Sequence, residues 1–313
     1  MRENSFLAEL REILAPGDAS VKVGCGPDDC AHLEADGRRL AASTDALAEG
    51  VHFASGAHPG EVAYKSLAAS VSDLAASACR ARWALVSLAL SREAAPGWAI
   101  RFAEGLAGAA AELEVAVVGG DTISSPGGIF VSVTVLGEPL AGGPILRRGA
   151  KPGDLLVVTG ALGGSLLGRH LHPRPRSREI RLLMDFCREF TPGRFPSAGL
   201  DISDGLALDL SRLCRESGVG AELYADCLPL SPDALKAAEK SGLSPLRHAL
   251  SDGEDFELLL SLPPEVWEEF RRREAGSADF TAVGKITGDG RLVLREADGR
   301  SRPLEIRGYE HQW

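Results

Sequence analysis

The stretch 59–90, PGEVAYKSLAASVSDLAASACRARWALVSLAL, joins a helical pattern to a strand pattern with little between them. Val62, Leu67, Val71, Leu74 and Ala78 recur at helical spacing and are expected to face inward. Residues 83–90 then read as a strand. Working downstream, residues 96–113 read as a helix with Pro96 near its first turn. Residues 115–118 form an apolar run leading straight into Gly119-Gly120-Asp121, and 129–136 alternate as a further strand. Upstream, residues 39–43 form a strand that ends in a polar cluster. Residues 1–15 read as an amphipathic helix with Phe6, Leu7, Leu10, Ile13 and Leu14 on one face.

Alternation of strand and helix resumes after a turn-rich stretch, 137–153, which contains Pro139, Gly142, Gly143, Pro144, Pro152 and Gly153. A strand is expected at 154–159, followed by a glycine-rich turn into a helix and a Pro/Arg-rich loop at 172–178. Further helices are expected at 179–190, 205–217 and 232–240, and strands at 256–261, 280–286 and 291–294. The expected fold is α+β (α/β), with two domains built on mixed sheets and divided as 1–145 and 146–313.

Composition agrees with two globular domains. The chain has 313 residues, 44% hydrophobic and 25% charged. Its net charge of −10 argues against a nucleic-acid or anionic-membrane partner. Neither a signal peptide nor a membrane-spanning run is read. The six cysteines form no C-x-x-C pair and match no zinc spacing, so reduced thiols in a cytoplasmic protein are expected.

The informative feature is where the acids fall. Asp28-Asp29 lies in a Gly/Pro turn, and Asp45 follows Ser43-Thr44 at a strand end. Asp73 lies late in the 59–78 helix, and Asp121 follows Gly119-Gly120. Asp201 and Asp204 flank Ile202-Ser203, and Glu254-Asp255 precedes a strand. Any one of these could cap a helix or close a turn. Together they lie where α/β proteins place ligands, and converging carboxylates need a cation. A donor set of Asp, Ser and Thr oxygens suits Mg²⁺. The chemistry that most needs such a cluster is phosphoryl transfer. No G-x-x-x-x-G-K-[ST] loop and no kinase-like G-x-G-x-x-G occurs. Residues 159–165 could offer backbone N–H groups to phosphate, but that signal is weak and an ordinary strand-to-helix turn is the preferred reading.

In order, these segments resemble the thiamine-monophosphate kinases, of the aminoimidazole ribonucleotide synthetase and selenophosphate synthetase superfamily. The matching motifs are Gly26-Pro27-Asp28-Asp29-Cys30-Ala31, Ser43-Thr44-Asp45-Ala46-Leu47 with Glu49-Gly50-Val51-His52-Phe53, Ser72-Asp73-Leu74-Ala75 and Gly119-Gly120-Asp121-Thr122. They continue with Arg147 to Asp154, Asp201-Ile202-Ser203-Asp204-Gly205-Leu206, Gly253-Glu254-Asp255-Phe256-Glu257-Leu258 and Gly308-Tyr309-Glu310-His311. The resemblance implies an N-terminal sheet used for dimerisation, a homodimer, and an active-site cleft between the domains. It implies ATP and thiamine monophosphate as substrates. It implies Asp29, Ser43, Thr44, Asp45, Asp73, Asp121, Asp201 and Asp204 at Mg²⁺. Gly120, Asp121, Arg147 and Ser203 would lie at ATP, and His52, Glu254 and Tyr309 at the thiamine phosphate. Pro27 stands where the family has Gly, and whether Asp28 or Asp29 is the ligand stays open. The alternatives are another ATP-using member of the superfamily, or a nucleotide- and metal-binding regulator without turnover. A maturation enzyme of the hydrogenase type would be expected to end in Cys, whereas this chain ends in Trp313.

Overall fold

The computed structural model describes residues 3–14, 17–26, 28–274, 276 and 279–311. Pro27 and Trp313, both singled out in the sequence, lie outside them. The N-terminal half runs α1 (Glu3–Ile13), β1 (Val21–Val23), β2 (Ala31–Ala35), β3 (Arg38–Ala48), α2 (Pro59–Ala76), β4 (Cys79–Ser91), α3 (Trp98–Glu112), β5 (Ala116–Ser125) and β6 (Phe130–Pro139). Its sheet has the order β1-β2-β3-β6-β4-β5, antiparallel except for β4 with β5.

The 59–90 stretch forms the helix and strand expected of it. His58 caps α2, its Nδ1 accepting the Gly60 N–H at 3.2 Å, and Pro59 starts the helix. The helix is buried on more than the one face its apolar spacing marks: Ser66, Ser70, Ser72 and even Lys65 are enclosed. The small residues explain this. Ala63, Leu67 and Val71 pack into the core of the first sheet, while Ala75 and Ala76 join Val157, Ile180 and Leu258 of the other half. At the α2–α3 crossing, a Cβ on Gly105 would lie 2.4 Å from the Gly60 Cα, so the glycine allows the two helices to touch.

The second half runs β7 (Leu155–Thr159), α4 (Ser177–Phe190), β8 (Ala198–Ile202), α5 (Leu206–Ser217), β9 (Gly220–Tyr224), α6 (Pro232–Ser241), α7 (Pro245–Ser251), β10 (Glu257–Leu262), α8 (Pro264–Arg273), β11 (Phe280–Thr287), β12 (Leu292–Arg295) and β13 (Ser301–Pro303). Its sheet has the order β13-β12-β9-β11-β7-β10-β8, with β12 and β9 parallel. Both sheets are mixed, as expected. Several elements had not been read from the sequence: β1, β2, β8, β9, α7, α8 and β13. The apolar run of β8 is short and fully buried, so it carries no period. The helix expected after residues 159–165 is absent. Two short 3₁₀ turns, Ser165–Leu167 and Arg169–Leu171, stand there instead, with Gly164 and Gly168 breaking the α pattern.

Candidate active site

One buried strand, one face of a second strand, a helix end and the loop carrying Asp29 deliver the acids to one place. β8 carries Asp201 one residue before its end at Ile202, and Ser203-Asp204-Gly205 turns the chain into α5. α2 brings Asp73 in its last turn, and β3 brings Ser43 and Asp45 on its core-facing side. The oxygens of Asp29, Asp73 and Asp201 lie within 4.8 Å of one another. Around them is a cleft of about 460 Å³ between the two halves. Its wall includes Ser43, Thr44, Asp45, Arg147, Ser203 and Asp204.

Hydroxyl donors hold the carboxylates in position. Ser72 Oγ donates to Asp201 Oδ2 at 2.7 Å across the two halves, and Ser43 Oγ donates to Asp73 Oδ2. Burial raises Asp73 and Asp201 well above the usual carboxylate range, and their acidic neighbours add to this. Burial raises Asp45 too, and its Oδ2 is buried without a hydrogen-bond partner. An orphaned carboxylate oxygen beside three crowded carboxylates is a site short of positive charge. An all-oxygen donor set of this kind fits Mg²⁺.

The structure separates the roles of Asp28 and Asp29. Asp28 Oδ1 accepts the Arg147 backbone N–H at 2.6 Å, and its carboxyl is raised chiefly by burial. Asp29 joins the cluster, its Oδ1 accepting Arg147 Nε at 3.1 Å and also Nη2. Burial works against the Arg147 charge, but Asp29, then Asp209 and Asp201, outweigh it and keep the guanidinium protonated. Asp204 is paired with Arg212, whose Nη1 also bonds Asp209 Oδ1 at 2.7 Å. Asp209 is pushed up to about 7, by burial first and then by Asp204, against the pull of Arg212. Arg11 and Arg215 add further positive charge to the same wall. None of Arg11, Arg212 and Arg215 was singled out in the sequence. An arginine on a helix carries no signal of its own, and only the fold places these three on the cleft wall, Arg212 alone bonding the acids Asp204 and Asp209.

A second group adjoins the first through the β8–α5 turn. The Ser203 carbonyl accepts the Glu254 N–H at 2.6 Å, and the Asp204 carbonyl accepts the Tyr309 N–H at 3.0 Å. Lys65 Nζ donates to Glu254 Oε1 at 2.6 Å and to the His52 carbonyl at 2.7 Å. The His52 ring lies 5.4 Å from that of His311, which in turn meets Tyr309 at 4.8 Å. Burial, followed by Lys65, lowers the His52 pKa, so the ring is neutral; its Nδ1 accepts the Ala48 N–H at 3.0 Å. His52, Glu254 and Tyr309 are therefore gathered together, next to the acids.

Gly120 and Asp121 are not brought to the cleft. Asp45 pairs with Val133, Val133 with Val86 and Val86 with Gly120, so β5 lies three strands from β3, about 14 Å across the sheet. Gly120 has a local reason to be glycine, since a Cβ there would meet the Val86 carbonyl oxygen at 1.8 Å. Asp121 is exposed, and its Oδ1 accepts the Thr122 N–H. Thr44 lies at the cleft rim, but its hydroxyl donates to the Val133 carbonyl at 3.2 Å and accepts from Thr134 at 3.0 Å. The glycine-rich 160–165 loop is not a free phosphate cradle. Its Gly163 N–H points to Asp255 at 3.0 Å and its Gly164 N–H to Asp252 at 2.9 Å.

Residues 27–138 match the family model "AIR synthase related protein, N-terminal domain", and residues 151–296 match the corresponding C-terminal domain. The thiamine-monophosphate kinase of Rhodopirellula baltica is 39% identical, covering 99% of this chain and 97% of its own length. That of Bacillus subtilis is 32% identical, covering 94% of each chain. The solved structure "AaThiL complexed with AMPPCP and TMP" superposes with a TM-score of 0.83 at 30% identity, over 99% of this chain and 97% of that one. A HypE–HypF complex chain reaches a TM-score of 0.74 at 20% identity, which shows a shared fold. With both domain models matched and relatives identical at this level from end to end, the chain belongs to the thiamine-monophosphate kinase family of AIR synthase related proteins.

Proposed function

We propose that the protein transfers the γ-phosphoryl group of ATP to thiamine monophosphate, giving ADP and thiamine diphosphate. The observation that carries this reading is the cleft itself. Asp29, Asp73 and Asp201 crowd together with Asp45 Oδ2 unpartnered, directly beside the His52–Glu254–Tyr309 group. Asp29, Asp45, Asp73, Asp201 and Asp204, with Ser43 and Thr44 at the rim, would hold Mg²⁺. The metal would neutralise charge on the phosphate oxygens. Arg147 and Ser203 face the same space and would contact the nucleotide, while His52, Glu254 and Tyr309 would receive the thiamine phosphate.

No side chain has to act as a base. The attacking oxygen belongs to a phosphate monoester whose second pKa is about 6, so it is mostly dianionic at neutral pH. That oxygen bonds to the γ-phosphorus as the bond from phosphorus to the β–γ bridging oxygen breaks, and ADP leaves with the electron pair. Transfer is direct and in line, with no phospho-enzyme. The protein's own task is to bring two polyanions together despite a net charge of −10. Arg147, Arg212, Arg11 and Arg215 on the cleft wall serve that end, and positioning supplies much of the rate.

The working unit is a homodimer formed through the outer face of the N-terminal sheet. β5 is an uncovered edge strand on which Val118 is 57% exposed and Ile123 59%. Gly120 and Asp121 keep their assignment only with a second copy, the nucleotide site then being completed across the interface. The domain division falls at 145/146, in the turn-rich link between the two sheets. No described helix is long and apolar enough to cross a membrane, and the reading as a cytoplasmic enzyme rests on the chemistry of its substrates. The test is incubation of the purified protein with ATP, Mg²⁺ and thiamine monophosphate. Equal amounts of ADP and thiamine diphosphate are expected. ATP binding with no product would overturn the reading.

A further inference from the structure

Lys65 is the most unusual side chain in α2. It is completely buried, and lysine is almost never so unless paired. Enclosing an ammonium is costly, and for stability alone an apolar residue of similar length serves as well or better. Burial accordingly lowers the Lys65 pKa, while Glu254 works to raise it. The two groups that hold the ammonium come from opposite halves of the molecule. One is the Glu254 carboxylate at 2.6 Å, and the other is the His52 carbonyl at 2.7 Å.

The Glu254 segment is itself strained. Glu254 and Phe256 both have φ of +52°, in the left-handed region that side chains disfavour. Such strain persists where surrounding bonds over-determine it and collects at functional sites. Here the Ser203 and Ile202 carbonyls hold the segment by accepting the Glu254 and Phe256 N–H groups at 2.6 and 2.9 Å. Lys65 takes only Oε1 of Glu254, whose side chain stays 22% exposed, so the carboxylate is anchored by one oxygen and still open on one side.

We propose that Lys65 is a positioning residue for the acceptor substrate: its ammonium locks the Glu254 carboxylate and the His52 loop into the one arrangement that receives thiamine monophosphate. This rests on the reading of His52 and Glu254 as acceptor contacts. It separates binding of the two substrates, because among the described residues the Lys65 ammonium bonds only Glu254 and the His52 carbonyl, both on the acceptor side.

The test compares wild-type, K65M and K65R full-length protein for kcat, for KM of each substrate and for thermal midpoint. K65M is expected to raise the KM for thiamine monophosphate at least tenfold, with the KM for ATP within about twofold. K65R, which keeps the charge and two donors, is expected to return it to within about threefold of wild type. If both KM values move together, or neither moves, Lys65 has no acceptor-specific role and the proposal falls. Should K65M fail to fold with Glu254 left unpaired, the double variant K65M/E254Q buries no net charge and is compared with E254Q alone. A higher KM for thiamine monophosphate in the double variant, with ATP unmoved, supports the role through the His52 loop, and equal values overturn it. A wild-type protein that makes no thiamine diphosphate sinks the functional reading. A wild type that turns over, with an unaltered K65M, sinks only the assignment of Lys65.

Discussion

Replacing Asp73 with Asn is expected to make the metal-free protein more stable while destroying its response to Mg²⁺. Asp73 shares a 4.8 Å neighbourhood with Asp29 and Asp201. Two unit charges at that separation repel by about 3.5 kcal/mol at an effective dielectric of 20, and Asp73 takes part in two such pairs. The folded protein does not bear all of this, because burial and repulsion hold Asp73 in its protonated form above the usual carboxylate range. The sign follows from that raised pKa. Between about pH 4 and the folded-state pKa, the folded chain keeps a proton that the unfolded chain has released, so stability falls as pH rises. At pH 8 the D73N variant, nearly isosteric and still able to accept from Ser43, escapes this loss. A gain on the order of 1–3 kcal/mol is expected, which for a chain of this size raises Tm by several degrees. Mg²⁺ at a hundred times its dissociation constant should stabilise wild type by about 2.7 kcal/mol and D73N far less. Thermal unfolding followed by circular dichroism, with and without Mg²⁺ and across pH, measures each term. A D73N protein less stable than wild type without Mg²⁺ would refute the electrostatic account. So would a Mg²⁺-induced rise in Tm equal to that of wild type.

Three further outcomes follow from other parts of the molecule. His32 is buried with both ring nitrogens unpartnered, and burial lowers its pKa. As pH falls below about 6.5 the unfolded chain takes up a proton that folded His32 refuses, so stability is lost by up to about 1.4 kcal/mol per pH unit. H32L should flatten that acid slope in a urea titration, and an unchanged slope would exonerate His32. Cys30 is 2% exposed and its thiol is pushed up by burial, then by Asp73, so it is no nucleophile. C30S should therefore keep kcat within about threefold, and a hundredfold loss would revive a thiol mechanism. Finally, I123R on the exposed β5 edge should yield a monomer by light scattering and raise the KM for ATP, whereas a dimer of unchanged mass would move the interface elsewhere.

Much of the architecture was legible because it is local. The period of Val62, Leu67, Val71 and Leu74, and the strand pattern after Trp83, identify α2 and β4 without help from distant residues. The acids were legible too, in turns, at strand ends and late in a helix, and their order along the chain marked the family. Convergence was not legible. That Asp29 rather than Asp28 joins Asp73 and Asp201 depends on Arg147, more than a hundred residues away, which takes the Asp28 carboxylate on its backbone N–H. Lys65 looked like one more polar residue in a helix, because sequence period cannot reveal that the second half of the molecule closes over that face of α2. Gly120 and Asp121 lie beyond the cleft for a similar reason. The pairing order that sends β5 to the edge of its sheet is a long-range choice, made by which strands bury their faces together. Local propensity and hydrophobic period set the elements and supplied the acids; the packing of two sheets about one helix decided which carboxylates converge and which stay apart.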